Sequence, residues 1–395
     1  MDKQALLENA KTIHPEVIRI RRHLHKYPEL SFHENETQAF LIQELERIGI
    51  NKIEKIADTG IAVELDSGNA GSCIALRADM DALPIQEANI ADYVSVNAGI
   101  MHACGHDTHM SSLFGCLKLL NNNKSAWKGK VLAIFQPGEE VLPGGAIEVI
   151  KSGILKKHKA QLIIAQHVMP GMPVGNIGFR EGPYMASTDE IYITVHGKGG
   201  HAATPALTKD TVACAAEMLL SIKSEIKTMA KDVPMVFSIG KLIANGSNNV
   251  IPSEVKMEGT FRTMDESFRS YAKTQMQTIL QNIANRYGTN VSLEIRDGYP
   301  SLTNHQEYTS DAREFMQDLL GTKQVEIMDI RLTGEDFAYY SQKMPAIFYR
   351  FGVAGEKLGS VNVHNRFFDI DESALIYSVA GLAWLSIQFL NQFNS

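Results

Sequence analysis

The segment Met101-His102-Ala103-Cys104-Gly105-His106-Asp107 puts a thiol, two imidazoles and a carboxylate in one short stretch, just before an apolar, helix-like run from Met110 to Leu120. Cys104 and His106 can aim at one point only if the backbone between them is extended or tightly turned, and Gly105 permits such a turn. A thiolate and an imidazole are good ligands for Zn, Mn, Co or Ni, and a thiolate sulfur can bridge two ions. A Cys-x-His pair is equally compatible with a small, buried, inert cysteine, so the case for a metal has to come from the rest of the chain.

Three apolar, strand-like runs supply further candidates at their ends. Cys73 to Ala78 leads into Asp79-Met80-Asp81, Lys130 to Gln136 into Pro137-Gly138-Glu139-Glu140, and Gln161 to Ala165 into Gln166-His167-Val168. Acidic groups at the end of an apolar strand belong at the surface or in a site, and α/β sheets place ligands beyond the carboxyl ends of their strands. Adjacent carboxylates such as Glu139 and Glu140 point different ways, so one can bind a metal while its neighbour reaches the water on that metal. That pairing suits metal-assisted hydrolysis. Each feature alone has a plain reading: a loop cap for Asp79 and Asp81, a solvated pair for Glu139 and Glu140, a capping or surface residue for His364. Their recurrence at successive strand ends points to a metal site.

The elements that must position these groups follow from periodicity. Residues 1 to 50 read as two helices separated by Tyr27-Pro28-Glu29-Leu30-Ser31, the second stopped at Gly49. His23 and His25 lie in the first and read as solvated or packing histidines. Ile61 to Leu65 and Cys73 to Ala78 have the look of buried strands. From about Met185 the texture changes: Glu190 to Val195 alternates, Thr208 to Met229 is helical, Met235 to Ala244 and Glu254 to Thr263 alternate, Asp265 to Tyr287 is helical, and Asn290 to Arg296 is a last strand. This β-α-β-β-α-β order is that of a ferredoxin-like domain. Its connections, Gly197 to His201 and Asn245 to Pro252, are polar and glycine-rich, which fits functional loops or plain hairpin turns. After residue 300 the α/β pattern resumes with a helix from Ser310 to Leu320, a strand from Ala346 to Phe351, and a final amphipathic helix from Glu372 to about Phe389. The expected fold is therefore α/β: a discontinuous catalytic domain, 1–184 and 300–395, with an α+β insertion at 185–299.

With 395 residues and 44% hydrophobic content the chain can bury a large core, and a net charge of -7 without a block of Lys and Arg sets nucleic acid aside as a partner. Met1 to Glu16 is mixed and polar, unlike a signal peptide, and no stretch is expected to span a membrane, so a cytoplasmic location is expected. Cys73, Cys104, Cys116 and Cys214 have no disulfide-framework spacing and are expected as free thiols.

With these motifs placed, the sequence resembles the M20 metallopeptidase family. Within it, the likeness is to the amidohydrolase branch that includes hippurate hydrolase, N-acetyldiaminopimelate deacetylase and plant indole-acetyl-amino-acid hydrolases. It runs from about Arg21 to Ala374. Its carriers are Arg22-His23-Leu24-His25 with Pro28-Glu29-Leu30-Ser31-Phe32, then Arg77 to Pro84, His102 to Asp107, Gln136 to Glu140 and Gln166-His167-Val168. Beyond these come Gly199 to Ala203, Asn249 to Pro252, Gly259 to Arg262, Gly334 to Phe337 and His364-Asn365.

The resemblance implies a zinc-peptidase-like catalytic domain, with a mixed sheet flanked by helices, and an inserted lid that serves for dimerisation. It implies that Cys104, His106, Glu140, His167 and His364 hold two divalent ions, Cys104 bridging where the peptidase branch uses an aspartate. Mn, Zn, Co and Ni all remain compatible. Glu139 would be the general base, and His201 would reach the neighbouring subunit's site in a homodimer to stabilise the oxyanion. Asn249 and Arg262 would contact substrate, Arg262 by gripping a carboxylate. The peptidase branch has a histidine ligand where Asp79 stands, so Asp79 is left out of the ligand set and Asp81 is given a histidine-orienting role. The implied reaction is hydrolysis of N-acyl amino acids, with N-acetyldiaminopimelate deacetylation or an inactive ligand-binding scaffold as alternatives.

Overall fold

The computed structural model describes residues 2–395. The chain begins with α1 (Lys3–Lys26) and α2 (Asn35–Arg47), followed by β1 (Ile53–Ile56), β2 (Gly60–Asp66), β3 (Cys73–Asp79), α3 (His106–Asn122), β4 (Lys130–Gln136), α4 (Gly145–Lys151), α5 (Ile154–His158), β5 (Ala160–Pro173) and β6 (Ile177–Phe179). It leaves along β7 (Gly182–Met185) into β8 (Asp189–His196), β9 (Gly200–His201), α6 (Thr211–Ala230), β10 (Met235–Ile243), β11 (Val250–Ile251), β12 (Glu254–Thr263), α7 (Glu266–Tyr287) and β13 (Asn290–Asp297). It returns through β14 (Leu302–Asn304), α8 (Gln306–Leu320), β15 (Val325–Ile327), α9 (Ala338–Ser341), β16 (Ala346–Ala354) and α10 (Ala374–Phe393).

Two compact units result. One runs to Gly182 and adds Thr303–Asp329 and Tyr339–Ser395; the other comprises Pro183–Leu302 and Ile330–Ala338. The first holds an eight-stranded sheet in the order β1-β2-β4-β3-β5-β16-β6-β15. Its centre is parallel, β4 with β3, β3 with β5 and β5 with β16, while β1, β2 and β6 add antiparallel pairings. Parallel strands covered by helices on both faces read as continuous apolar runs, and β3 is buried at every position. Asp79 lies opposite Gln136 and Arg350 opposite His167, so the carboxyl ends of the interior strands β3 and β4 come together side by side, and His167 sits part-way along β5 beside its parallel neighbour.

The second unit is an antiparallel sheet, β10-β12-β8-β13, with α6 and α7 on one face. Ile191, Ile193 and Val195 of β8 alternate inward and meet Met218 and Ile222 of α6 and Met276 and Leu280 of α7. Asp210 and Asp265 cap the two helices through their side chains.

Two expectations are corrected here. The Gly334 to Phe337 motif was placed with everything after residue 300 in the first domain, but it belongs to the second unit. The backbone explains this: Arg331 N–H donates to Tyr184 O at 2.8 Å and Ala186 N–H to Arg331 O at 3.0 Å, which stitches the segment to the start of the insertion. The last helix is not amphipathic and does not end near Phe389. It runs over Ala374–Phe393, is long and apolar enough to cross a membrane, and has 78% of its most apolar window buried, packed against α1, α3 and α8. A helix apolar on nearly all sides and enclosed by others is the core helix of its unit.

Candidate metal centre

The turn before α3 sets the site. Gly105 has φ +84°, and a Cβ there would lie 2.7 Å from Val168 Cγ2, so only glycine fits between Cys104 and His106. Cys104, His106 and His167 place their donor atoms within 4.8 Å of one another, as do Cys104, Glu140 and His364, and also His106, Glu139 and Glu140. The groups share members, so the five implied ligands and Glu139 form one continuous cluster. Cys104 Sγ is 3.5 Å from His167 Nε2, and Glu140 Oε1 is 3.2 Å from His364 Nε2 and 4.0 Å from His106 Nε2. The His364 loop is tied to the thiol loop by His364 N–H donating to Ala103 O at 2.7 Å.

Each ring is oriented from behind. His106 Nδ1 donates to Asp81 O at 2.8 Å, and His167 Nδ1 to Val168 O at 2.9 Å, which turns both Nε2 atoms inward. Asp81 Oδ2 also accepts the Glu140 amide at 2.9 Å. His106 Nε2 and Glu140 Oε1 are buried and, among the described residues, have no hydrogen-bond partner. Buried polar atoms are ordinarily satisfied, so these two fit a cation between them.

The electrostatics agree. Burial opposes charge on His106, yet Asp79, Asp81 and Glu140 hold its pKa up at about 10. Burial, followed by Glu140, Glu139 and Asp79, pushes the Cys104 thiol well above its usual range. The proton on His106 balances carboxylates that a divalent cation would balance instead, the Cys104 thiol stays neutral, and binding would release a proton from each.

Asp79 stands as a partner of other side chains. Its Oδ1 accepts from His109 Nδ1 at 2.6 Å and its Oδ2 from Arg77 Nη1 at 2.6 Å, with His106 Nε2 at 3.7 Å. His109, which sequence reasoning missed, accepts the Val168 amide on Nε2 at 3.0 Å and so links α3 to the strand that carries His167. The available signal was its spacing: three positions after His106 on a helix, it shares that residue's face.

A second layer of charge lies behind Asp107. Arg21, fully buried, reaches Asp107 at 2.8 Å, Asp369 at 2.6 Å and Glu372 at 3.3 Å, joining α1 to the thiol loop and to the segment after His364. His25 is no idle packing residue: Nδ1 donates to Asp107 at 2.9 Å and Nε2 to Glu87 at 3.1 Å. His23, by contrast, does pack, stacked on Phe40. Burial and Arg21 oppose charge on His25, but Asp107 and Glu87 raise its pKa to about 9. The folded state therefore binds this proton more tightly than the unfolded chain. The resulting stability is complete below about pH 6.5 and lost as pH rises through about 9. Urea midpoints of metal-free protein should fall across that window, and His25→Gln should flatten the fall; an equal fall in the variant contradicts the assignment.

The remaining implied residues sit in the second unit. His201 of β9 pairs with Val250 of β11, and Asn249 O accepts the Ala202 amide at 2.9 Å, so His201 and Asn249 are neighbours on exposed loops. Arg262 lies near the end of β12 with Nη1 donating to Leu332 O at 3.1 Å.

Comparison with known proteins matches these features. Residues 75–384 fit the profile of Peptidase family M20/M25/M40. A putative amidohydrolase, YhaA, of Bacillus subtilis is 35% identical over 376 residues, covering 95% of this chain and 94% of its own length. An N-acetyl-L-cysteine deacetylase of the same organism is 35% identical over 371 residues, covering 93% and 86%. The crystal structure of Bacillus subtilis YXEP protein, described as a dinuclear metal binding peptidase from the M20 family, superimposes with a TM-score of 0.84 at 34% identity, covering 96% of this chain and 99% of that one. Since the profile spans most of the sequence and the identity extends through nearly all of it, this chain belongs to the M20 peptidase family.

Proposed function

We propose that this protein is a metal-dependent amidohydrolase that cleaves N-acyl amino acids into a carboxylic acid and a free amino acid. The observation that carries the reading is the single cluster of Cys104, His106, Glu140, His167 and His364, in which the buried His106 Nε2 makes no hydrogen bond among the described residues and Glu140 Oε1 lies between it and His364 Nε2. These residues would hold two divalent ions, Mn, Zn, Co or Ni by donor type. Ions in such a site polarise an amide carbonyl and acidify water. The deacetylase and amidohydrolase names of the relatives support an N-acyl substrate.

Glu139, buried beside Glu140, takes the proton of the attacking water and delivers it to the departing nitrogen. Asp81 holds His106 through Nδ1, and Glu140 through its amide. In the second unit, Asn249 and Arg262 bind substrate, Arg262 pairing with the free carboxylate. His201 donates to the oxyanion in the site of a second copy, the protein being a homodimer through its inserted unit. His201→Ala should lower kcat about 10²- to 10³-fold at unchanged ion content; loss of an ion instead makes it a ligand. A cytoplasmic setting is consistent with four free, buried cysteines.

The test is amine release from N-acetyl, N-benzoyl and longer N-acyl amino acids and from N-acetyldiaminopimelate, using chelator-stripped protein refilled with each ion. Ion-dependent release supports the reading and ranks substrates. No release from any pair, by protein carrying its ions, rejects it.

A further inference from the structure

The segment Pro28 to Glu34 has no part in the chemistry above, yet it touches both loops that carry it. Glu34 starts α2 but does not cap it; its buried carboxylate turns away, accepting the Gly138 amide on Oε1 at 2.8 Å and the Thr59 hydroxyl on Oε2 at 2.5 Å. Ser31 Oγ donates at 2.6 Å to Asp81 Oδ2, the same oxygen that accepts the Glu140 amide. The amides on either side of Glu139 are therefore each held by a buried carboxylate, and both carboxylates depend on this segment. Phe32 adopts φ +62°, which aromatic residues rarely do, and its ring fills the space where a side chain at Gly138, φ +61°, would stand. A buried carboxylate with no cationic partner among the described residues and a left-handed aromatic residue are both unfavourable for folding alone, and such features persist where the surroundings enforce a functional geometry.

We propose that Ser31, Phe32 and Glu34 are positioning residues that fix the Gly138-Glu139-Glu140 loop, setting the direction of the Glu139 carboxylate. The proposal rests on the reading of Glu139 as base. The segment acts on the loop through the Glu34 carboxylate, which accepts the Gly138 amide, and through the Ser31 hydroxyl, which holds the Asp81 oxygen that accepts the Glu140 amide; a change in ion content does not replace these contacts.

Residue-resolved hydrogen exchange on the metal-free protein tests it independently of turnover. Glu34→Ala should speed exchange at Gly138 by about tenfold or more, while Glu34→Gln, which keeps an oxygen for that amide, stays within about threefold of wild type. Ser31→Ala should speed exchange at Glu140 and serves if Glu34→Ala does not fold. In ion-loaded protein Glu34→Ala should lower kcat about ten- to hundredfold with KM within about twofold, and Glu34→Gln should recover most of it. Unchanged Gly138 exchange in Glu34→Ala, equal acceleration in Glu34→Gln, or wild-type kcat despite accelerated exchange overturns the proposal. Wild-type kcat in Glu139→Gln would instead remove the base reading, leaving the exchange result to decide whether this segment holds the loop.

Discussion

Glu139→Gln is expected to keep the fold and both ions while lowering kcat about 10²- to 10⁴-fold, the range over which a positioned general base acts. Gln matches Glu in shape and can occupy the same buried place after β4, so the loop held by the Gly138 and Glu140 amides is undisturbed. What it lacks is a basic oxygen to take a proton and return it. Glu140 joins the group with Cys104 and His364, which does not include Glu139, and with Glu139 acting as base and not as ligand, ion content should not follow the change at 139. Steady-state kinetics with elemental analysis of the same sample checks both halves. A variant that turns over within threefold of wild type with its ions in place contradicts the base assignment.

The second large effect is expected at Cys104. It belongs to the group with His106 and His167 and to the group with Glu140 and His364, so its removal weakens both ends of the cluster at once. Cys104→Ala should cut ion affinity by more than the roughly 10- to 100-fold typical of losing a ligand's orienting partner, and turnover should fall to background. The metal-free protein should tolerate the change, since its buried thiol behaves there as a small apolar group. Cys104→Asp, which supplies a bridging oxygen of the kind the peptidase branch uses, should restore part of the binding. Ion titrations of the three proteins, read calorimetrically, give the comparison; full affinity in Cys104→Ala would place the thiol outside the site.

The candidate ligands were legible in the sequence because parallel strands buried on both faces write themselves as apolar runs, and the residues just past such runs stand out by contrast. Glu140 and His167, and the base candidate Glu139, stood out in that way, although β5 runs on to Pro173 and His167 lies inside it. The helices of the insertion were legible from their apolar spacing, but their starts were not: the structure begins them at Thr211 and Glu266, after the capping residues Asp210 and Asp265. The supporting layer was not legible. Arg21 meets Asp107, Glu34 meets Gly138 and His109 meets Asp79 across stretches of chain that no local period connects, and a polar residue in an apolar pattern does not announce its partner. His25 read as a packing residue for that reason. The same limit explains Ile330–Ala338, whose membership of the second unit is set by backbone pairing with Tyr184 and Ala186. It also explains α10, whose enclosure by three helices is a property of the assembled unit and not of its own spacing.

The most direct test of the account is a titration of chelator-stripped protein with a single divalent ion, following bound ion and amine release from an N-acyl amino acid in the same samples. The account predicts no turnover in stripped protein, two ions bound per chain, release rising with their binding, and protons displaced as Cys104 and His106 exchange them for metal. Full turnover in the stripped protein, or two bound ions with no release from any N-acyl amino acid, would contradict it.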